Sequence, residues 1–237
     1  MENSFVITID TDWVTDRVLD DTLQLLADHG VDATLFMTNK TGVDTGNHEI
    51  ALHPNYTSMD LERHFCERLN EFPEAKGVRS HSLFFSERLR AIYHKYNMEY
   101  QSNQMMYGVP DIKPYMFSPT ALEIPVFFMD TFNYTMTGES AAFNADGILN
   151  NNGLKVFDFH PIHIFMNTSS FAHYDQFKQY YRDDKNLPEF KNTKIPGIRD
   201  WFIDLLKFIK EEKKQSAKMI DISNAYRTPF HEGIHSR

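Results

Sequence analysis

The chain has 237 residues, 41% of them apolar and 14% aromatic, which is enough to bury one sizeable core and too apolar for a disordered segment. A net charge of −9 and a pI near 5.6 argue against broad binding to nucleic acid or anionic lipid, which usually needs a basic surface. A single cysteine, Cys66, excludes an intrachain disulfide and a cysteine-based zinc cluster and points to a reducing compartment.

The N-terminus, MENSFVITID, has no basic region followed by an apolar one, so no signal peptide is expected. No apolar run approaches the ~20 residues that span a bilayer, so a cytoplasmic location without a membrane span is expected. FVITID (5–10) reads as a strand. Leu19, Leu23 and Leu26 then fall at helical spacing, and the pattern stops at His29-Gly30. ATLFM (33–37) and HEIALH (48–53) are the next strands. A helix is expected around 60–71, a strand at GVRSHS (77–82), a helix around 86–96 and a strand at MEYQS (98–102).

EIPVFF (123–128) and LKVFDFH (154–160) read as strands separated by a polar, Asn-rich stretch. Residues 166–197 read mostly as loop. A long helix over 198–213 shows an apolar face of Ile198, Phe202, Leu205, Leu206 and Ile209, and AKMIDI (217–222) reads as the last strand. Strands alternating with helices imply a parallel sheet, and about eight strands in one domain spanning 1–237 suggest a barrel. Barrels of this kind carry their sites at the C-terminal ends of the strands.

The polar residues at those ends are chemically compatible. The first strand ends in Asp10-Thr11-Asp12, the third in His53 followed by Pro54, the fourth contains Arg79-Ser80-His81, and LKVFDFH ends in His160. Two imidazoles and one carboxylate suffice for a divalent metal with open positions, leaving a second carboxylate and a third histidine as base and acid. Taken singly, each residue has a plainer reading. Asp10 and Asp12 could cap the following helix, although Asp16 looks a better cap, and a strand-end histidine is more often a hydrogen-bonded structural residue. His29, His64, His94, His173, His231 and His235 read as surface residues, and His48 belongs at the opposite end of the barrel. The aromatic residues of 157–181 read as core. Four strand ends with compatible chemistry are what favour a site.

At these residues the chain resembles the polysaccharide deacetylases, the NodB-like carbohydrate esterases, along nearly its whole length. The resemblance implies a distorted (β/α) barrel. TIDTDW matches a first motif with Asp10 as catalytic base and Asp12 as metal ligand; HEIALH places His53 as the first metal histidine; GVRSHS supplies the motif arginine, Arg79; FDFH places the catalytic acid at His160. The family's second metal histidine lies four residues after the first, and Thr57 stands there. His81 is the replacement chosen here, with Asn55 and His163 as lesser candidates.

The implied reaction is hydrolysis of an N-acyl group, N-acetyl first, on an amino sugar or sugar precursor in bacterial surface-polysaccharide synthesis. The implied cofactor is a divalent metal, zinc before Fe(II), held by Asp12, His53 and His81. Asp10 would take the proton of water, Arg79 would keep Asp10 ionised, and His160 would protonate the leaving amine. Two rivals stand beside this reading: a barrel hydrolase of another C–N substrate, and a catalytically inactive carbohydrate-binding relative.

Overall fold

A computed structural model describes residues 3–118, 121–137, 149–214 and 216–235. Its centre is a curled nine-stranded sheet, a half-barrel. In chain order the strands are β1 (Phe5–Asp10), β2 (Thr34–Met37), β3 (Glu49–Leu52), β4 (Gly77–Val78), β5 (Tyr100–Gln101), β6 (Tyr115–Ser118), β7 (Ala121–Glu123), β8 (Phe128–Met129) and β9 (Lys155–Phe159). They are arranged in the order β6-β7-β5-β4-β3-β2-β1-β9-β8. Every pairing is parallel except β6 with β7. The distorted (β/α) barrel expected from the sequence is therefore the fold.

The helices are α1 (Asp16–His29), α2 (Leu61–Glu71), α3 (Glu87–Lys95), α4 (Asp130–Thr137), α5 (Pro161–Met166), α6 (Phe171–Phe177), α7 (Ile198–Glu211) and α8 (Met219–His235). Side chains alternate across a strand, and β1 shows the result. Phe5, Ile7 and Ile9 join one cluster with Leu19, Leu23 and Leu26 of α1 and with Phe202, Leu205, Leu206 and Ile209 of α7. Val6 lies in a different cluster with Phe36, Ala51, Tyr100 and Val156. On that second face β1 and β9 begin apolar and end polar, Val6, Thr8, Asp10 on β1 and Val156, Asp158, His160 along and just past β9, and Ala51 of β3 is followed by His53. Period-2 alternation thus carries a dry core at one end of the sheet and delivers a polar cluster at the other. Gly77 is part of the same core. A Cβ there would fall 1.9 Å from a carbon of the Tyr100 ring, so only glycine lets that ring cross the strand.

Four local expectations change. AKMIDI is not a strand: Ser216 alone bridges Phe5, and α8 starts at Met219. Met219 and Ile222 are buried with Tyr226 packed beside them, a helical spacing that a six-residue apolar run cannot distinguish from a strand. The Met219 and Ile220 N–H groups donate to Thr34 Oγ1 and Glu49 Oε2 at the starts of β2 and β3, so the beginning of α8 closes the end opposite the polar cluster. His48 sits at that same end, its Nδ1 accepting from Ala33 N at 3.0 Å.

EIPVFF breaks into the end of β7 and the start of β8 around Pro125, which has no N–H to donate. Residues 166–197 contain α6 and two short 3-10 turns. Asp16 is the first residue of α1 and not its cap. Its carboxylate accepts from Thr41 Oγ1 at 2.6 Å and Gly42 N at 3.1 Å, tying down the loop after β2. The side chains of His231 and His235 lie outside the described residues.

Candidate active site

Thr11 and Thr38 lock the turn after β1. Thr38 N donates to Thr11 Oγ1 at 3.1 Å, and Trp13 N donates to Thr38 Oγ1 at 2.9 Å. Asp12 and Trp13 take left-handed backbone conformations there, with φ of 41° and 58°, which is uncommon for residues with a Cβ and is found where a fold over-determines a loop. The turn brings Asp12 back over the strand ends.

His53 continues the β3 ladder, its N–H bonding Met37 O at 3.0 Å. Pro54 then ends the strand and its carbonyl accepts from His81 N at 3.0 Å. His81 thus does not end a strand: β4 stops at Val78, and His81 opens a short 3-10 turn in which Ser82 and Leu83 are left-handed. The turn is held from below. Ser80 N donates to Asn103 Oδ1 at 2.8 Å, and the buried Glu123 accepts from Asn103 N at 2.7 Å. Burial pushes the Glu123 carboxyl up to about 7.

Asp12, His53 and His81 come together. Asp12 Oδ1 is 3.2 Å from His53 Nε2 and 3.1 Å from His81 Nδ1. Burial alone would raise the Asp12 carboxyl, but the two imidazoles and the nearby His160 hold it well below the usual carboxylate range. The Asp12 contact in turn raises His81 above an ordinary histidine. The buried His53 completes no well-formed hydrogen bond through either ring nitrogen, although Nε2 faces Asp12 Oδ1 and, at 3.5 Å, Asp10 Oδ2. Two imidazoles crowded onto one carboxylate oxygen, one of them otherwise unpartnered, are a donor set that a divalent ion satisfies, so these residues fit a metal.

A second group, Asp10, Asp158 and His160, also has its donor atoms within 4.8 Å of one another. It already holds a cation. Arg79 is fully buried, and its Nη1 donates to Asp10 Oδ1 at 2.9 Å, Asp158 Oδ1 at 2.7 Å and Thr8 Oγ1 at 2.8 Å. Its Nε and Nη2 bond Ser102 O and Oγ, and its plane lies over the Phe36 ring at 4.1 Å. A metal here would face a guanidinium.

His160 completes the cluster, with Nε2 3.5 Å from Asp12 Oδ2. Its Nδ1 lies 2.7 Å from Asp130 Oδ1, and its backbone N–H donates to Asp130 Oδ2 at 2.8 Å. Burial opposes a charge on His160, but the Asp130 carboxylate and hydrogen bond raise the imidazole well above its ordinary value. Thr57, at the position of the absent motif histidine, is exposed. His163 packs against His160, but its Nδ1 pairs with Thr168 Oγ1 at 3.0 Å, and burial lowers it to about 4. His163 does not join the Asp12 donor set.

The sequence reading missed Asp130 and Asp158. Asp130 follows β8 and is 30 residues from its partner, so no local pattern links the two. Asp158 had a signal: it is two residues before His160, so alternation puts it on the same face as His160.

A cavity of about 120 Å³ opens beside Asp12 and His160, walled by Tyr134, Tyr174, Tyr181 and Phe171. A histidine raised by a carboxylate, an arginine-held carboxylate and a metal donor set clustered around Asp12, which with His160 lines the cavity, can do proton-assisted hydrolysis.

A family profile described as WbmS-like polysaccharide deacetylase matches residues 7–178. The crystal structure of a candidate polysaccharide deacetylase involved in O-antigen biosynthesis, from Bordetella bronchiseptica, is 25% identical with a TM-score of 0.78, over 87% of this chain and 90% of that one. A candidate polysaccharide deacetylase from Mycobacterium smegmatis, at 14% identity and TM-score 0.55, covers 96% of this chain and 91% of its own, and shares the fold. So does a 4-alpha-glucanotransferase from Thermococcus litoralis, at 10% identity and TM-score 0.56, over 94% of this chain and 38% of that one. No curated protein matches the chain.

Proposed function

The chain belongs to the WbmS-like polysaccharide deacetylase family, and from that premise we propose that it hydrolyses the N-acyl group, N-acetyl first, of an amino sugar or sugar precursor used in bacterial surface-polysaccharide synthesis. The observation that carries this reading is the separation of roles around Asp12. A carboxylate held by arginine lies on one side, a histidine held by carboxylate on another, and the donor set stands between them.

Asp10 is the base. The Arg79 hydrogen bond fixes one of its oxygens, leaving the carboxylate oriented to take a proton from the attacking water. His160 is the acid. Asp130 fixes its Nδ1, so Nε2 is the nitrogen that carries a proton to the leaving amine. A divalent metal on Asp12, His53 and His81 would supply Lewis-acid polarisation of the amide carbonyl and an acidified water. Zinc suits two imidazoles and a carboxylate, and Fe(II) accepts the same set. The tyrosine-walled cavity beside Asp12 and His160 is the proposed seat of the acyl group.

No described helix is long and apolar enough to cross a membrane. A cytoplasmic site of action, on a nucleotide-linked or lipid-linked precursor, is part of the proposal. The test is to incubate metal-replete protein with a panel of such N-acetylated precursors and quantify free acetate and free amine. Equimolar release supports the reading; no release from any member of the panel, with metal bound, rejects it.

One observation favours a second reading, an inactive carbohydrate-binding relative: Thr57 replaces the motif histidine. Metal content separates the two, since pure binding needs no metal. Release of ammonia or another amine from non-sugar amides would instead favour a hydrolase of other C–N substrates.

A further inference from the structure

Asp158 is a second carboxylate in the heart of the site, and the proton transfers assigned to Asp10 and His160 make no use of it. It is completely buried, and its Oδ1 accepts from Arg79 Nη1 at 2.7 Å and from Thr8 Oγ1 at 3.2 Å. Asp10 takes its own bond from that same Nη1. Asp158 Oδ2 is buried with no hydrogen-bond partner.

Two carboxylates on one guanidinium nitrogen, away from water, cannot both ionise cheaply, because their repulsion adds to the cost of desolvation. The charged and titratable groups around Asp158 are Arg79 after β4, Asp10 on β1, Asp130 at the start of α4 and His160 at the end of its own strand. Of the two carboxylates on Arg79, Asp158 is the more deeply enclosed. An oxygen with no partner is where a proton is most easily kept. A neutral carboxyl also accepts from Arg79 and Thr8 through its carbonyl oxygen, matching the bonds made by Oδ1.

We propose that Asp158 is a positioning residue for Asp10 that works as a neutral, proton-bearing carboxyl, anchoring Arg79 without competing with Asp10 for its charge. This rests on the deacetylase reading only for its consequence in catalysis; the protonation state stands apart from it. Burial pushes the Asp158 carboxyl up, Arg79 opposes this in part, and Asp10 adds to it, leaving the group well above the usual carboxylate range. Asp158 thereby gives Arg79 a fixed acceptor while keeping the inner cluster no more negative.

Infrared spectroscopy of the full chain at neutral pH is the test. The wild-type spectrum minus that of Asp158→Asn should contain the carbonyl band of a protonated carboxylic acid, other raised carboxyls such as Glu123 cancelling in the difference, and the wild-type spectrum minus that of Asp10→Asn should not. A wild-type minus Asp158→Asn difference without the band overturns the proposal whether or not the protein deacetylates anything. The kinetic arm applies once deacetylation is measured. Asp158→Ala should lower kcat roughly 10- to 100-fold with little change in KM, as loss of orientation does, and Asp158→Asn, the shape of the neutral acid, should recover most of it. An Asp158→Asn variant as slow as Asp158→Ala would contradict a neutral Asp158. Absence of deacetylation in the wild type would reject the functional reading and leave the infrared result to decide Asp158.

Discussion

The two halves of the polar cluster are built differently. On the β1–β9 side, Asp10, Arg79, Asp158, His160 and Asp130 are all buried, and nearly every charge meets an opposite charge at 2.7 to 2.9 Å. On the β3–β4 side, Asp12, His53 and His81 sit at longer contacts, on backbone with positive φ at Asp12 and beside His81 at Ser82, and His81 is 29% exposed. One half is finished by the protein itself. The other is arranged as if for something the chain does not supply. The contrast separates holding and moving protons from holding an ion, and it assigns opposite consequences to substitutions only a few ångströms apart.

The largest expected effect lies in the finished half. Arg79→Met leaves Asp10 and Asp158 buried together without a cation and should destabilise the fold by about 3–5 kcal/mol, read by urea unfolding. A change below about 1 kcal/mol would mean that the network is solvated. Next is Asp130→Asn, which keeps the shape but removes the charge that raises His160. Deacetylation should slow roughly 10²-fold. Because the acid form of His160 is then lost at lower pH, the basic limb of the kcat/KM profile should move to lower pH.

Beneath the open half, Glu123 gives a pH effect that leaves the site's own groups untouched. Its folded pKa is raised to about 7 from an unfolded value of 4.5. A group raised in this way adds stability that is full below 4.5 and is lost as pH rises toward 7, with a slope of at most about 1.4 kcal/mol per pH unit. Glu123→Gln should flatten that slope in unfolding measured at a series of pH values; an unchanged slope would reject the assignment. The smallest stability effect is expected for His81→Ala, below about 1 kcal/mol. The same variant should lose metal measured by elemental analysis, and retention of full metal would remove His81 from the donor set.

The finished half was only partly legible in the sequence. Asp10 and His160 end apolar, β-branched or aromatic strands, where alternation and barrel logic point to them directly. Arg79 was visible as a charge next to a strand, but its partners were not. Asp130 and Asp158 become meaningful only when β8 and β9 pair and β9 is set beside β1. Such pairings join residues 29 to 150 apart, and no local pattern encodes them. In the open half the reverse holds. His53 and Asp12 were legible, and His81 meets them by a left-handed turn where a continued strand was expected. The misread last strand has the same physical origin. AKMIDI is too short to distinguish two periods, and α8 is recognisable only by the helical continuation to Tyr226.

Asp10 and Asp12 are two residues apart and belong, in this account, to different halves. Metal content and deacetylation measured together on purified Asp10→Asn and Asp12→Asn decide between them. Asp10→Asn should keep its metal while turnover falls roughly 10²- to 10⁴-fold, the range for loss of a general base. Asp12→Asn should lose metal and activity together, with added metal restoring part of both. If Asp10→Asn is the variant that loses its metal, base and ligand are reversed; if both variants keep full activity on an N-acetylated amino sugar, the hydrolytic mechanism is wrong.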